Sequence, residues 1–421
     1  MALSGKSRGL ALFLAGGAVL IGSAELVTAA NTGVQTAQVD GISKKIGQWW
    51  SGPNTADRID YREFDNRIAG IMADPSMVGL SVAVIENGRI SFAKGYGTTT
   101  AIGGEPVNPQ TVFRWASLSK GVAATMVGDL AAQGRVSLDA PISDYATTLK
   151  LPMGGETRAT VDDLLSHRLG VTRNAFDRKL EAGADPRTLR PMYASLAALC
   201  APGQCHAYQN VAFDAATEIV QNVTGRPYRQ VVAQRLFTPL GMTDASISRA
   251  GLMASKSWAR PHVGRRTVSV NDNYYRVPAA GGVNSSIVDL ARWMQAQMGA
   301  APNVVSQRVL DRIHAPRVDT NRRNGMFNQA MGSSQYALGW RDYNYRGHRL
   351  VGHQGAVMGY RATVLFDPVR QSGIALLWNS QSGRPVGIQL EMLDRLYGFQ
   401  RRDWLGLDKV QPVQDIDESA G

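Results

Sequence analysis

Only two cysteines occur in 421 residues, Cys200 and Cys205. A disulfide-dense scaffold is therefore excluded, and their spacing matches no zinc site. The six histidines show no paired metal-ligand spacing, so no cofactor is expected. Aromatics make up 7% and charged residues 19%, against 44% hydrophobic, a balance that argues for a globular chain over wholesale disorder. Acidic residues are outnumbered, 34 to 45, for a formal net charge of +11. The basic residues are scattered, with short pairs such as Arg265-Arg266 and Arg401-Arg402, and no nucleic-acid motif accompanies them. The charge reads as a surface property rather than a nucleic-acid footprint.

Long apolar runs are also lacking, except at the start. Lys6 and Arg8 precede an uncharged apolar stretch, Gly9 to Gly22, and the small residues Thr28, Ala29 and Ala30 follow. This reads as a secretory signal peptide over residues 1–30 rather than an uncleaved anchor. The protein is then periplasmic or secreted, and membrane association ends with cleavage. In an oxidising compartment Cys200 and Cys205 either pair or remain as two structural thiols. The Ala-Pro-Gly-Gln between them supplies turn residues for pairing. Residues 31–55 form a linker in which Ile42, Ile46, Trp49 and Trp50 share a helical face, packed on the domain or lying on a membrane.

Residues 56–405 read as one domain. Asp57 to Met72 is helical. Gly79–Glu86 and Arg89–Gly97 are strands joined by Asn87-Gly88, the strongest two-residue hairpin signal. A helix runs from Ser117 to Gln133 and stops at Gly134. Region 135–330 is a mostly helical subdomain, with candidates at 160–166, 191–199, 210–223, 228–237 and 287–298. Strands return at His348–Gly352, Tyr360–Asp367 and Gly373–Trp378. A helix spans Val386–Tyr397, and 406–421 is a polar, fraying tail. The economical arrangement is an α/β (α+β) fold. One antiparallel sheet joins both chain ends, helices cover its faces, and a cleft lies beside the helical subdomain.

Three short patterns carry chemistry. Ser117-Leu118-Ser119-Lys120 places serine and lysine on one side of a helix, where an amine can assist deprotonation of the hydroxyl. Alone it is weak. Ser91-Phe92-Ala93-Lys94 has the same spacing in a strand, where positions i and i+3 face opposite ways. Tyr208-Gln209-Asn210 offers a phenol for proton transfer and an amide for a substrate carbonyl, unless Asn210 merely caps a helix. His353-Gln354-Gly355 follows one strand and precedes another. Its glycine permits close approach of a substrate backbone, and its histidine offers a hydrogen bond or a positive field. Asp162, Asp163 and His167 read as helix-start carboxylates and a structural histidine.

Together and in this order, the patterns resemble the serine β-lactamase and penicillin-binding-protein superfamily. The branch is the one holding class C-like β-lactamases, D-alanyl-D-alanine carboxypeptidases, D-aminopeptidases and esterases. Leu138–Ile142, Thr160–Gly170, Pro202-Gly203, Leu236–Met242, Ala280–Ser286 and Tyr336–Trp340 extend the resemblance over about residues 57–400. It implies an acyl-enzyme on Ser117, proton handling by Lys120 and Tyr208, and substrate binding by Asn210, His353 and Gly355. It also implies an oxyanion hole from the backbone N–H groups of Ser117 and Ala356. His-Gln-Gly replaces the Lys-Thr-Gly usual in class C β-lactamases, which favours a peptidase or esterase. A binding protein that acylates without turnover is the other reading. Arg361 is either an exposed strand arginine or a ligand for a substrate carboxylate. Expected partners are a small-molecule or peptide substrate and cell-wall peptidoglycan, not nucleic acid. Oligomeric state is not legible.

Overall fold

The computed structural model describes residues 59–320 and 324–408. The expected leader, the 31–55 segment and residues 409–421 of the expected tail lie outside the described residues. Eight strands form the main sheet: β1 (Gly79–Glu86), β2 (Arg89–Gly97), β3 (Val318–Asp319), β4 (Ser333–Tyr336), β5 (Arg341–Tyr345), β6 (His348–Val357), β7 (Tyr360–Asp367) and β8 (Ser372–Trp378). Their order is β2-β1-β8-β7-β6-β5-β4-β3, with every neighbouring pair antiparallel. The β1–β2 hairpin turns at Asn87 (φ 50°) and Gly88 (φ 78°), the positive angles such a turn requires. Strand β1 pairs with β8 along Leu80↔Trp378 to Ile85↔Gly373. The early hairpin and the late strands of the described residues thus meet in one sheet, as the strand distribution implied.

The principal helices are α1 (Tyr61–Ile71), α2 (Ser119–Ala132), α3 (Val161–Leu165), α4 (Asp177–Glu181), α5 (Ala215–Thr224), α6 (Ile287–Gln297), α7 (Gln307–His314) and α8 (Val386–Tyr397). Strand alternation sorts the core into two layers. Leu80, Val82, Val84, Ile374 and Leu376 face α1 and α8, where Phe64, Ile68, Ile388 and Leu393 complete one cluster. Ala83, Val364, Phe366, Ala375 and Leu377 face the other way. They join Val122, Met126, Ile219, Leu290 and Trp293 of the helical region. Each fully buried side chain of leucine size contributes about 1.5–3 kcal/mol. Arg67 of α1 clamps α8 and the C-terminal segment by pairing with Glu391, Asp403 and Asp408, so residues 406–408 lie against the domain.

Several boundaries move. The expected strand at 348–352 extends to Val357, because β7 pairs with it as far as Tyr360. The His353-Gln354-Gly355 pattern therefore lies within one strand, not between two. The expected helix at 191–199 is only a 3-10 turn, Arg190–Ser195. The helix expected from Asn210 begins at Ala215. Strands β4 and β5 carry no continuous apolar run. They hold together by pairing, with Tyr336, Tyr343 and Tyr345 as their buried positions.

Candidate active site

The turn carrying Ser117 is braced from beneath by the segment 280–286. Phe113–Arg114 pairs with Asn284–Ser285. The Trp115 N–H donates to the Val283 carbonyl at 2.9 Å, and its indole donates to Ser285 Oγ at 2.8 Å. Ser119 Oγ donates to the Ala116 carbonyl at 2.7 Å and accepts the Val283 N–H at 3.0 Å. Ala116 adopts φ 49°, a left-handed conformation uncommon for a residue with a Cβ and typical of constrained sites. Ser117 was expected to open a helix. It sits instead in the 3-10 turn Ala116–Leu118, just before α2. Three residues along, Lys120 still points back at it, because both turns wind the same way.

Lys120 is fully buried. Its Nζ lies 2.7 Å from Asn210 Oδ1, 3.0 Å from the Ala280 carbonyl and 3.4 Å from Ser117 Oγ. Three acceptors match the three donors of an ammonium. The Tyr208 hydroxyl donates to Ser117 Oγ at 2.8 Å, and Lys120 Nζ stands 4.7 Å from the Tyr208 ring centroid. Asn210 caps nothing with its side chain. Its Nδ2 donates to Asp177 Oδ2 at 2.7 Å, which orients Oδ1 toward the lysine. Burial raises the pKa of the Asp177 carboxyl, against the opposing effects of the Asn210 hydrogen bond and Lys120.

The chain delivers Tyr208 through a stapled loop. Cys200 and Cys205 are bonded to each other. The loop runs beside 167–174, with Leu199 N–H on the Gly170 carbonyl, Gly203 N–H on Arg168, Ala207 N–H on His167, and Asn174 N–H on Tyr208. Gly170 (φ 74°) is required here, since a Cβ would come 2.2 Å from the Cys200 carbonyl. Upstream, Thr160 and Asp163 form a capping box for α3, and Asp162 pairs with Arg168 and Arg317. Those carboxylates are structural, as read.

Strand β6 forms the opposite wall. Beyond Gly352 its pairing with β5 ends while its pairing with β7 continues. Gly355 lies against the nucleophile turn, where an added Cβ would come 2.1 Å from the Trp115 carbonyl and 3.1 Å from Ser117 N. Ala356 is exposed at the cleft. Of the two roles offered for His353, the structure favours the hydrogen bond. The ring is buried, and its nitrogens lie 2.9 Å from the Tyr336 hydroxyl and 2.8 Å from the Gln354 carbonyl. Burial, with Arg341 and Lys120 nearby, holds it well below its ordinary pKa, so it is neutral and supplies no positive field. Arg361 lines the cleft and donates to the Gln381 carbonyl at 3.2 Å.

The cleft encloses about 950 Å³ and brings together Ser117, Tyr208, Asn210, His353, Gly355 and Ala356. Residue reasoning missed Asp177, Ala280 and Arg341. Asp177 starts a five-residue helix with no motif around it. Ala280 acts through its carbonyl, which any residue carries. Arg341 follows the Tyr336–Trp340 stretch already singled out, and that was its only signal.

Residues 64–399 match the Beta-lactamase family. The chain is 28% identical over 306 residues to the unguisins hydrolase ungD' of Aspergillus campestris, covering 69% of this chain and 56% of that protein. It is 31% identical over 264 residues to the D-alanyl-D-alanine-carboxypeptidase/endopeptidase AmpH of Escherichia coli K12, covering 59% and 66%. The matched region thus spans less than two thirds of the length of these relatives. The octameric penicillin-binding protein homologue from Pyrococcus abyssi superposes with a TM-score of 0.73 at 26% identity, covering 81% of this chain and 78% of that one. With the family match spanning most of its length and the fold shared with a penicillin-binding protein homologue, the chain belongs to the beta-lactamase family.

Proposed function

We propose that the chain is an exported serine hydrolase that cleaves an amide or ester bond through an acyl-enzyme on Ser117. One observation carries the reading: a phenol and an amine converge on a single hydroxyl, Tyr208 at 2.8 Å and Lys120 at 3.4 Å from Ser117 Oγ. Oγ attacks the substrate carbonyl, and its proton passes to the Tyr208 oxygen once that oxygen has released to solvent the proton it donates to Oγ in the resting site. Lys120, pinned by Asn210 and Ala280, stabilises the negative charge that moves between the two oxygens. The proton returns to the leaving nitrogen or oxygen, and water then releases the acyl group. The backbone N–H groups of Ser117 and Ala356 receive the oxyanion, each worth about 10²–10³ in rate.

The favoured substrate is a D-amino-acid peptide with a free carboxylate, of the kind found in cell-wall peptidoglycan. Among the described residues, Arg173, Arg178, Lys179, Arg341 and Arg361 line the cleft against Asp177 and Glu181, which supports an anionic ligand. The carboxypeptidase name of the Escherichia coli relative supports the same class. The neutral His353 supports a peptidase or esterase over a β-lactamase. The apolar leader and the paired cysteines support a periplasmic or secreted location.

The test offers nitrocefin, p-nitrophenyl acetate and D-Ala-D-Ala peptides in parallel, with Ser117→Ala as control. Turnover of the peptide that Ser117→Ala abolishes is the expected result. Fluorescent penicillin that stays on Ser117 with no substrate turned over points instead to a binding protein. Turnover unchanged in Ser117→Ala overturns the proposal.

A further inference from the structure

Three side chains outside the proton-transfer cluster form an unbroken hydrogen-bond chain beside it. The Gln209 N–H donates to His167 Nδ1 at 3.2 Å. His167 Nε2 lies 3.1 Å from the Tyr336 hydroxyl, which lies 2.9 Å from His353 Nε2. His353 Nδ1 lies 2.8 Å from the Gln354 carbonyl. The two ends fix every proton between them. An amide N–H can only donate, so His167 Nδ1 is an acceptor and the ring's proton sits on Nε2. A carbonyl can only accept, so His353 carries its proton on Nδ1 and accepts at Nε2. The Tyr336 oxygen therefore accepts from His167 while its O–H donates to His353. All donors point one way, and the two imidazoles hold opposite tautomers.

We propose that His167, Tyr336 and His353 form a proton-excluding relay that holds the Tyr208 segment and strand β6 in register across the cleft, with Tyr336 as a positioning residue for the reaction at Ser117. One end of the relay is the backbone of Tyr208-Gln209-Asn210, and the other is the backbone of His353-Gln354-Gly355. Between them the His167 ring packs on the Tyr208 ring at 4.3 Å. All three relay side chains are buried.

An extra proton has no place in this chain. On His167 it would set Nδ1–H against the Gln209 N–H. On His353 it would turn Nε2 into a donor facing Tyr336. The Tyr336 O–H would then have to swing toward His167 Nε2–H. The groups that act on the two rings are Lys120 from α2, Arg341 from β5, and His206 from the stapled loop. Tyr208 and Tyr343 act on Tyr336. None is a carboxylate, so nothing there rewards a charged imidazole. Burial, with Lys120 and Arg341, holds both histidines well below their ordinary pKa. Unfolded histidines titrate near pH ~6.5. The relay's contribution to stability is therefore full above that pH and is lost as pH falls below it.

The direct test is ¹⁵N NMR of the intact mature protein with labelled histidines, assigned by single His→Gln variants, from pH 8 to 5. His167 should show the Nε2–H form and His353 the Nδ1–H form, both uncharged throughout. Double protonation of either ring at pH 6, or a shared tautomer, overturns the proposal. The kinetic consequence rests on the serine-hydrolase reading. Tyr336→Phe keeps the ring but strands both Nε2 atoms. It should lower kcat by about tenfold or more, with KM changed by less than about threefold. Wild-type kcat, or a loss carried by KM alone, overturns it. Because the NMR readout needs no substrate, a protein with opposed tautomers and no turnover would sink the proposed function and leave the relay standing.

Discussion

The chain contains two Ser-x-x-Lys patterns, and they end up in opposite environments. In β2, Ser91 and Lys94 lie on an extended backbone. Lys94 reaches solvent and pairs with Asp65 at 2.7 Å, with 47% of its side chain exposed. Such a pair contributes about 0–1 kcal/mol. At the nucleophile turn, Lys120 has no exposure and faces three neutral oxygens, one of them Ser117 Oγ. The same residue types at the same spacing give a surface ion pair in one place and a candidate proton-transfer site in the other. Backbone curvature brings the amine to the hydroxyl, and burial removes competing water.

Replacing each serine is the sharpest way to break that comparison. Ser117→Ala should lose about 10⁴-fold or more in kcat on the best substrate, while Ser91→Ala stays within about twofold. Equal effects would end the distinction. Replacing the lysines comes next. Lys120→Met leaves the carbonyls of Asn210 and Ala280 without their donor and should cost about 10²–10⁴ in rate. Lys94→Gln should change only stability, by less than about 1 kcal/mol in denaturant titration.

Asp177 extends the comparison, because only the Ser117 copy has a carboxylate aligning its lysine's partner. Asp177→Ala should slow turnover about tenfold, whereas Asp177→Asn, which can still accept from Asn210, should lose less than about threefold. Burial raises the pKa of the wild-type carboxyl. The carboxyl gains its charge as pH rises; because the neutral Asp177→Asn keeps most of the activity, wild-type activity should climb by no more than about threefold with pH and flatten in that variant. A persistent acid limb in that variant would clear Asp177 of the role. The smallest effect concerns delivery of Tyr208. Replacing Cys200 and Cys205 with serine should lower unfolding free energy by roughly 2 kcal/mol through the short closed loop. No loss of stability would mean that the hydrogen bonds to 167–174 hold the loop unaided.

What could be read beforehand was mostly local. Asn87-Gly88 fixed the hairpin, Gly134 the stop of α2, and the Val386–Tyr397 pattern its helix, because each signal acts within a turn or two of chain. Strands β4 and β5 were invisible. Their stability comes from a neighbour's backbone, and their sequence is polar. The role of His353 stayed open for a related reason: its type announces a hydrogen bond or a charge, while its burial and its Tyr336 partner decide which. Asp177 had no local signal at all.

The sequence by itself determined the residue types able to do acyl-transfer chemistry, their order along the chain, and the split into terminal strands and central helices. Those properties follow from side-chain chemistry and short-range periodicity, which survive without a fold. Only the tertiary structure decided that the hydroxyl of residue 117, the amine of 120 and the phenol of 208 meet at hydrogen-bonding distance. Only it decided that one of two identical patterns is buried, and that two histidines far apart in the chain share one tyrosine. Long-range contacts, and the exclusion of water they bring, set proton positions and charge states, and neither is encoded in any short stretch of chain.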